Sequence, residues 1–142
     1  MTTVRHLLDR KGRAIFRVAP EDPVLEAIRA MAEHHVGALL VMRGQELLGI
    51  VSERDYARKV ILRGRSSSET AVAQIMSSPV TTVSPDHSVE QCMRLMTDER
   101  IRHLPVVEHT RVLGVISIGD LVKAVIEDQQ QTIEQLESYI HS

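Results

Sequence analysis

Apolar residues recur along the chain in two rhythms, and the same succession of rhythms occurs twice. Val24, Ile28, Met31 and Ala32 fall at helical spacing, and Val89, Met93, Leu95 and Met96 do much the same further on. Each set predicts a helix with one buried face. Ahead of each lies a short extended stretch, Ile15 to Val18 and Val80 to Val83, leading to Pro20 or Pro85. A proline disfavours helix in the residue before it. After each helix come paired apolar runs, Ala38 to Met42 with Leu47 to Val51, and Leu104 to Val107 with Val112 to Ile116. Polar turns at Gly44-Gln45 and His109-Thr110 separate them, which predicts two β-hairpins. A second helix opens at Asp55 with Tyr56, Val60 and Ile61, and again at Asp120 with Leu121, Val122, Val125 and Ile126. The unit is β-α-β-β-α.

The two copies overlay without a gap. Residues 18–61 match residues 83–126 at a constant offset of 65, with 13 identities in 44 positions. The identities fall on apolar positions and on turn residues such as Pro20/Pro85, Gly49/Gly114, Ser52/Ser117 and Asp55/Asp120. They therefore mark a structural duplication. A unit of this size is near the lower limit for an independent core, so the two repeats are expected to share one and to pack with pseudo-twofold symmetry. The expected organisation is an amino-terminal segment 1–11, a first repeat 12–63, a linker 64–71, a second repeat 72–128 opening with a short helical lead-in at Val72 to Met76, and a carboxyl-terminal amphipathic helix 129–142. In that last segment Ile133, Leu136 and Ile140 lie on one face, which packs back or pairs with a partner.

Composition narrows the function. The chain has 142 residues, 43% hydrophobic and 25% charged, with a formal charge of -2. No broad field attracts nucleic acid or an anionic membrane. Aromatic content of 2% argues against stacking surfaces for single-stranded nucleic acid. The longest apolar run, Val36 to Met42, is far shorter than the roughly 20 residues of a membrane helix. Arg5, His6, Asp9, Arg10 and Lys11 near the start do not fit a secretory signal. The single cysteine, Cys92, suits a reducing compartment, so the expected location is cytoplasmic.

The sharpest local signal is Gly49-Ile50-Val51-Ser52-Glu53-Arg54-Asp55, repeated as Gly114-Val115-Ile116-Ser117-Ile118-Gly119-Asp120. Ser-x-x-Asp ahead of an apolar run has the spacing of a capping box, in which hydroxyl and acid satisfy orphan backbone N–H groups. A strand-to-helix corner can equally present free N–H groups and a positive dipole end to phosphate, with the Asp accepting both hydroxyls of a ribose. The repetition, with Gly at the start both times, points towards nucleotide.

The tandem repeat and its two corners resemble the paired CBS domain, or Bateman module, over about residues 12–128. Small stand-alone CBS-pair proteins of bacteria and plant organelles are the most similar, through Glu53 to Val60, Gly64-Arg65-Ser66-Ser67, Met96-Thr97-Asp98, Arg100 to Val106 and Val115 to Asp120. The resemblance implies an α+β fold of α/β-type repeats. It also implies adenosine-containing ligands (AMP first, then ADP, ATP, NAD(H) or S-adenosylmethionine) in two clefts between the repeats, with no catalysis. In one cleft it places Asp55 on the ribose, Ser52 and Arg54 on the phosphate side, Arg102 and His103 from the second repeat, and the adenine near Ser78, Val80 and Thr81; the basic stretch of the sequence adds Arg58 and Lys59 as weaker phosphate contacts. In the other it places Ser117, Gly119 and Asp120 opposite Ala14, Ile15, Phe16, Val36, Gly37 and Ala38. A protonated His103 beside phosphate would make affinity depend on pH.

Arg58, Lys59, Arg63 and Arg65 also read as a solvated helix face. His34, His35, His103 and His109 lack metal-ligand spacing, and Cys92, Met31, Met93 and Met96 read as core. The expected protein is a non-enzymatic sensor that forms a homodimer and reports to a regulated protein. The rival expectation is a ligand-free structural or protein-interaction dimer module whose corners only cap helices.

Overall fold

A computed structural model describes residues 2–141. It is a mixed α/β fold whose described residues form five α-helices and two small sheets. The elements are α1 (Val4–Lys11), β1 (Arg17–Val18), α2 (Val24–His34), β2 (Ala38–Arg43), β3 (Glu46–Ser52), α3 (Glu53–Tyr56), α4 (Val89–Glu99), β4 (His103–Glu108), β5 (Arg111–Ser117) and α5 (Ile118–His141). Helix α3 continues into a π-helical turn, Ala57–Ile61, and a 3₁₀ turn covers Val72–Gln74.

The chain divides into two compact units. One holds Ala14–Thr81 with His109–Val112; the other holds the residues up to Arg13, Thr82–Glu108 and those from Leu113 on. In the first, β1 runs parallel to β2 (Arg17 opposite Leu40, Val18 opposite Val41) and β2 antiparallel to β3. The buried faces of these strands join α2 in a cluster of Val18, Val24, Ala27, Met31, Leu39, Val41, Val51 and Val60. Val72 and Ile75 complete it. In the second unit Val83, Val89, Cys92, Met96, Leu104, Val106, Ile116, Leu121 and Ala124 form the equivalent cluster, completed by Val4, Leu7 and Leu8 of α1.

The buried residues group into two clusters, one within each unit. Each repeat enlarges its core with a segment from outside its own β-α-β-β-α string. The offset of 65 sets α1 opposite residues 69–76, so the lead-in to each repeat packs in the unit of the other. The duplicated glycines make that packing possible. A Cβ on Gly49 would lie 2.7 Å from Met76 Sδ and 2.9 Å from Ser77 O, and one on Gly114 would lie 2.8 Å from Leu8 Cδ2.

One further element departs from the sequence expectation, and two take a more specific form. The strand expected at Val80 to Val83 reduces to one parallel bridge, Val83 to Val106. In the first repeat Leu40 N donates to Phe16 O at 3.1 Å, whereas the matching position in the second is Pro105, which has no N–H to give. The short helical lead-in expected at Val72 to Met76 is a 3₁₀ turn over Val72–Gln74. The helix expected over 129–142 is the distal part of the 24-residue α5. The first repeat stops at Gly64, left-handed at φ 64°, while its counterpart Gln129 lets α5 run on.

The linker is held by backbone bonds. Thr70 O and Ser67 O accept from Val24 N (2.8 Å) and Leu25 N (2.9 Å), satisfying the start of α2, whose cap position is Pro23. Helix α4 instead carries its own capping box, Ser88 with Gln91.

Candidate functional site

Both Ser-x-x-Asp corners form at the junction of a strand and a helix. At the first, Ser52 closes β3 in extended conformation and the chain turns into α3. Asp55 Oδ2 accepts from Ser52 N (2.9 Å) and from Ser52 Oγ (3.0 Å), and Asp55 N donates to Ser52 Oγ (3.2 Å). Glu53 N donates to Gly37 O at 3.0 Å. At the second, Ser117 N donates to Asp120 Oδ2 (2.7 Å), Asp120 N to Ser117 Oγ (3.3 Å) and Ile118 N to Arg102 O (2.9 Å). The capping box is therefore realised twice. It occupies backbone N–H groups that the phosphate reading left open, and it fixes each carboxylate in one orientation.

The cations on the two carboxylates come from different places. Asp55 Oδ1 faces Lys59 Nζ at 3.1 Å, one helical turn on, and Lys59 also donates to Ile75 O at 2.9 Å. This lysine braces the corner to the lead-in segment. Asp120 takes Lys11 Nζ, from the end of α1, at 2.5 Å. Burial alone would raise the Asp120 carboxyl, but the Lys11 ammonium and the Ser117 backbone outweigh it and lower it from its usual value. Lys11 was not visible as a site residue in the sequence: it is 109 positions away, and its counterpart at the offset of 65 is Met76.

The remaining residues fall as follows. Ser77 exchanges backbone bonds with Ile50 at 2.9 and 3.1 Å, and Ser78 Oγ donates to Leu48 O at 2.8 Å, so this segment lies along β3. Val80 and Thr81 follow it half-buried, and Arg54 and Arg58 are exposed. Ala38 pairs in register with Ser52, so Gly37 and Ala38 border the Asp55 corner, and Val36 packs against the first core. Ala14 is exposed, Ile15 is half-buried, and Phe16 stacks on His34 with ring centroids 4.0 Å apart. Arg102 and His103 lead into β4, and Gly119 is exposed at the start of α5.

His103 feels the charges of the second corner. Burial lowers its basicity, Lys11 and Arg102 lower it further, and Asp120 opposes them; the net shift is downward. The shift disfavours the protonated imidazole at this position.

The duplicated fold and corners agree with what this chain is similar to. The CBS domain description matches residues 4–62 and again 72–127. The chain belongs to the CBS-domain family, as a tandem pair. A mitochondrial CBS domain-containing protein of Arabidopsis thaliana, CBSX3, is 40% identical over 148 aligned residues, 98% of this chain and 72% of that protein. The solved structure of a putative signal-transduction protein with CBS domains from Burkholderia ambifaria is 52% identical, with a TM-score of 0.87 over 90% of this chain and 96% of that one. The CBS domain pair of protein MJ0100, solved in complex with 5'-methylthioadenosine and S-adenosyl-L-methionine, shares the fold at 22% identity and a TM-score of 0.80 over 90% of this chain and 98% of that one. CBS pairs are a regulatory class of domain. Among the described residues no helix is long and apolar enough to cross a membrane.

Proposed function

We propose that this CBS pair is a regulatory sensor that binds an adenine nucleotide at its Ser-x-x-Asp corners and catalyses no reaction. AMP is the first candidate ligand, with ADP, ATP or NAD(H) next, and the protein acts as a homodimer in the cytoplasm on a regulated partner. The observation that carries the reading is the duplicated, pre-oriented carboxylate. A ribose cis-diol needs an acceptor fixed in direction, and the capping box fixes Asp55 and Asp120 in the same way. The adenosine ligands of the MJ0100 pair support the ligand class. Arg54 next to Asp55, where the second corner has Gly119, supports the first corner as the one that takes phosphate. Binding then shifts the population of one conformation or oligomer, which the partner reads.

The rival reading, a ligand-free interaction module, draws on the same corners, because each box is already satisfied by its own atoms. Thermal unfolding separates the two. Extracted, ligand-free protein is titrated with AMP, ADP, ATP, NAD, NADH and S-adenosylmethionine; a ligand at 100 times its dissociation constant adds about 2.7 kcal/mol. The expected result is a selective upward shift, weakened about tenfold in affinity by Asp55→Asn and less by Asp120→Asn. Asn keeps an acceptor for the cap, so the loss reports on ligand. No shift with any of the six ligands favours the interaction module, and turnover of a bound nucleotide overturns the non-enzymatic reading.

A further inference from the structure

Helix α5 packs and pairs with the rest of its unit along its first half. Leu121 and Ala124 are buried, Arg10 pairs with Glu127 at 3.1 Å, and Thr2 Oγ1 donates to Asp128 Oδ2 at 2.7 Å. Beyond that point every residue from 129 to 141 is exposed, yet all are helical. A stretch of this length is marginal as an isolated helix in water, where stability comes from burying an apolar face.

The exposed stretch has such a face. Ile126, Gln129, Ile133, Leu136 and Ile140 follow one another at spacings of three, four, three and four, the a and d positions of a heptad. Ile126, Ile133, Leu136 and Ile140 are 59%, 48%, 58% and 74% exposed. The flanking e and g positions are Gln130, Thr132, Glu137 and Tyr139, so a parallel like copy brings no pair of like charges together across the seam. The other acids, Glu127, Asp128 and Glu134, stand at outer positions and disfavour an anionic membrane as the occupant. Isoleucine at the three a positions with Leu136 at one d position suits two parallel strands.

We infer that the distal half of α5 is a parallel two-helix seam occupied by the same helix of a second copy of this chain. The inference rests on the homodimer proposed above and names its interface; it is independent of nucleotide binding.

Sedimentation of the full chain over a range of concentrations tests it. The expected result is a species of twice the 15.9 kDa chain mass for the native sequence. The double variant Ile133→Asp, Leu136→Asp should self-associate about a hundredfold more weakly. Both sites are exposed, so an unchanged melting temperature at the dilution limit verifies that the rest of the fold survives. A native chain that stays monomeric overturns both the homodimer and the seam; a double variant as dimeric as the native chain overturns the seam alone. Orientation is read with Ile140→Cys under oxidised glutathione. A disulfide-linked dimer supports the parallel seam and its absence overturns that orientation. Cys92 does not compete, being fully buried with its thiol pushed up to about 11.

Discussion

The two corners have the same backbone design and different surroundings. In both, strand, serine and aspartate close a capping box, and the first helical N–H is taken by a carbonyl just before the neighbouring strand. The cations differ. Lys59 belongs to the same helical turn as Asp55 and reaches the lead-in through Ile75 O, while Lys11 reaches Asp120 from α1. A duplicated motif thus preserves the hydrogen bonds that its own seven residues can make, and leaves the charge environment to whatever segment packs beside it.

The glycines should show the largest difference. Gly49→Ala drives a Cβ towards the backbone carbonyl of Ser77 and should cost about 1–3 kcal/mol. Gly114→Ala meets only the side-chain end of Leu8, and should cost under about 1 kcal/mol as that rotamer adjusts. Urea unfolding of both variants checks this; equal losses would mean that the two lead-ins are held by equally rigid contacts.

The lysines should differ less in size and more in kind. Both pairs are partly exposed, so Lys59→Met and Lys11→Met should each cost under about 1 kcal/mol. Only Lys11→Met should also move the Asp120 titration towards higher pH, followed by carboxyl NMR, because the ammonium that holds it down is gone. With Asp120 lowered in the folded state, its contribution to stability is complete above the ordinary aspartate value and is lost as pH falls through the folded one.

The smallest effect belongs to His103. Its folded pKa lies below 6.5, so the unfolded chain takes up the proton first and stability declines as pH falls from about 6.5 towards the folded value. His103→Gln should flatten the stability profile in that window, and a profile that keeps its slope would assign it to other groups. The first corner has Ala38 at the matching position and contributes no such slope.

Much of the fold was legible because it is local and occurs twice. The hairpins, the amphipathic faces of α2 and α4 and the Ser-x-x-Asp spacing are fixed by residues within a few positions of each other, and their repetition at a constant offset separates pattern from chance. Pro105 and Gly64 also acted locally, by a missing N–H and a left-handed turn, and their effects on Val83 and on the end of the first repeat follow from residue type. What the sequence did not disclose is which distant segment completes each core. Val4, Leu7 and Leu8 are simply apolar residues on a short helix, and nothing in their type directs them to the core of Val83 and Leu104 rather than that of Val18 and Leu39. Hydrophobic burial is not directional, so residue type leaves the choice open; in the structure Leu8 lies over Gly114 and Met76 over Gly49. The same packing brings Lys11 to Asp120 and leaves the far end of α5 uncovered.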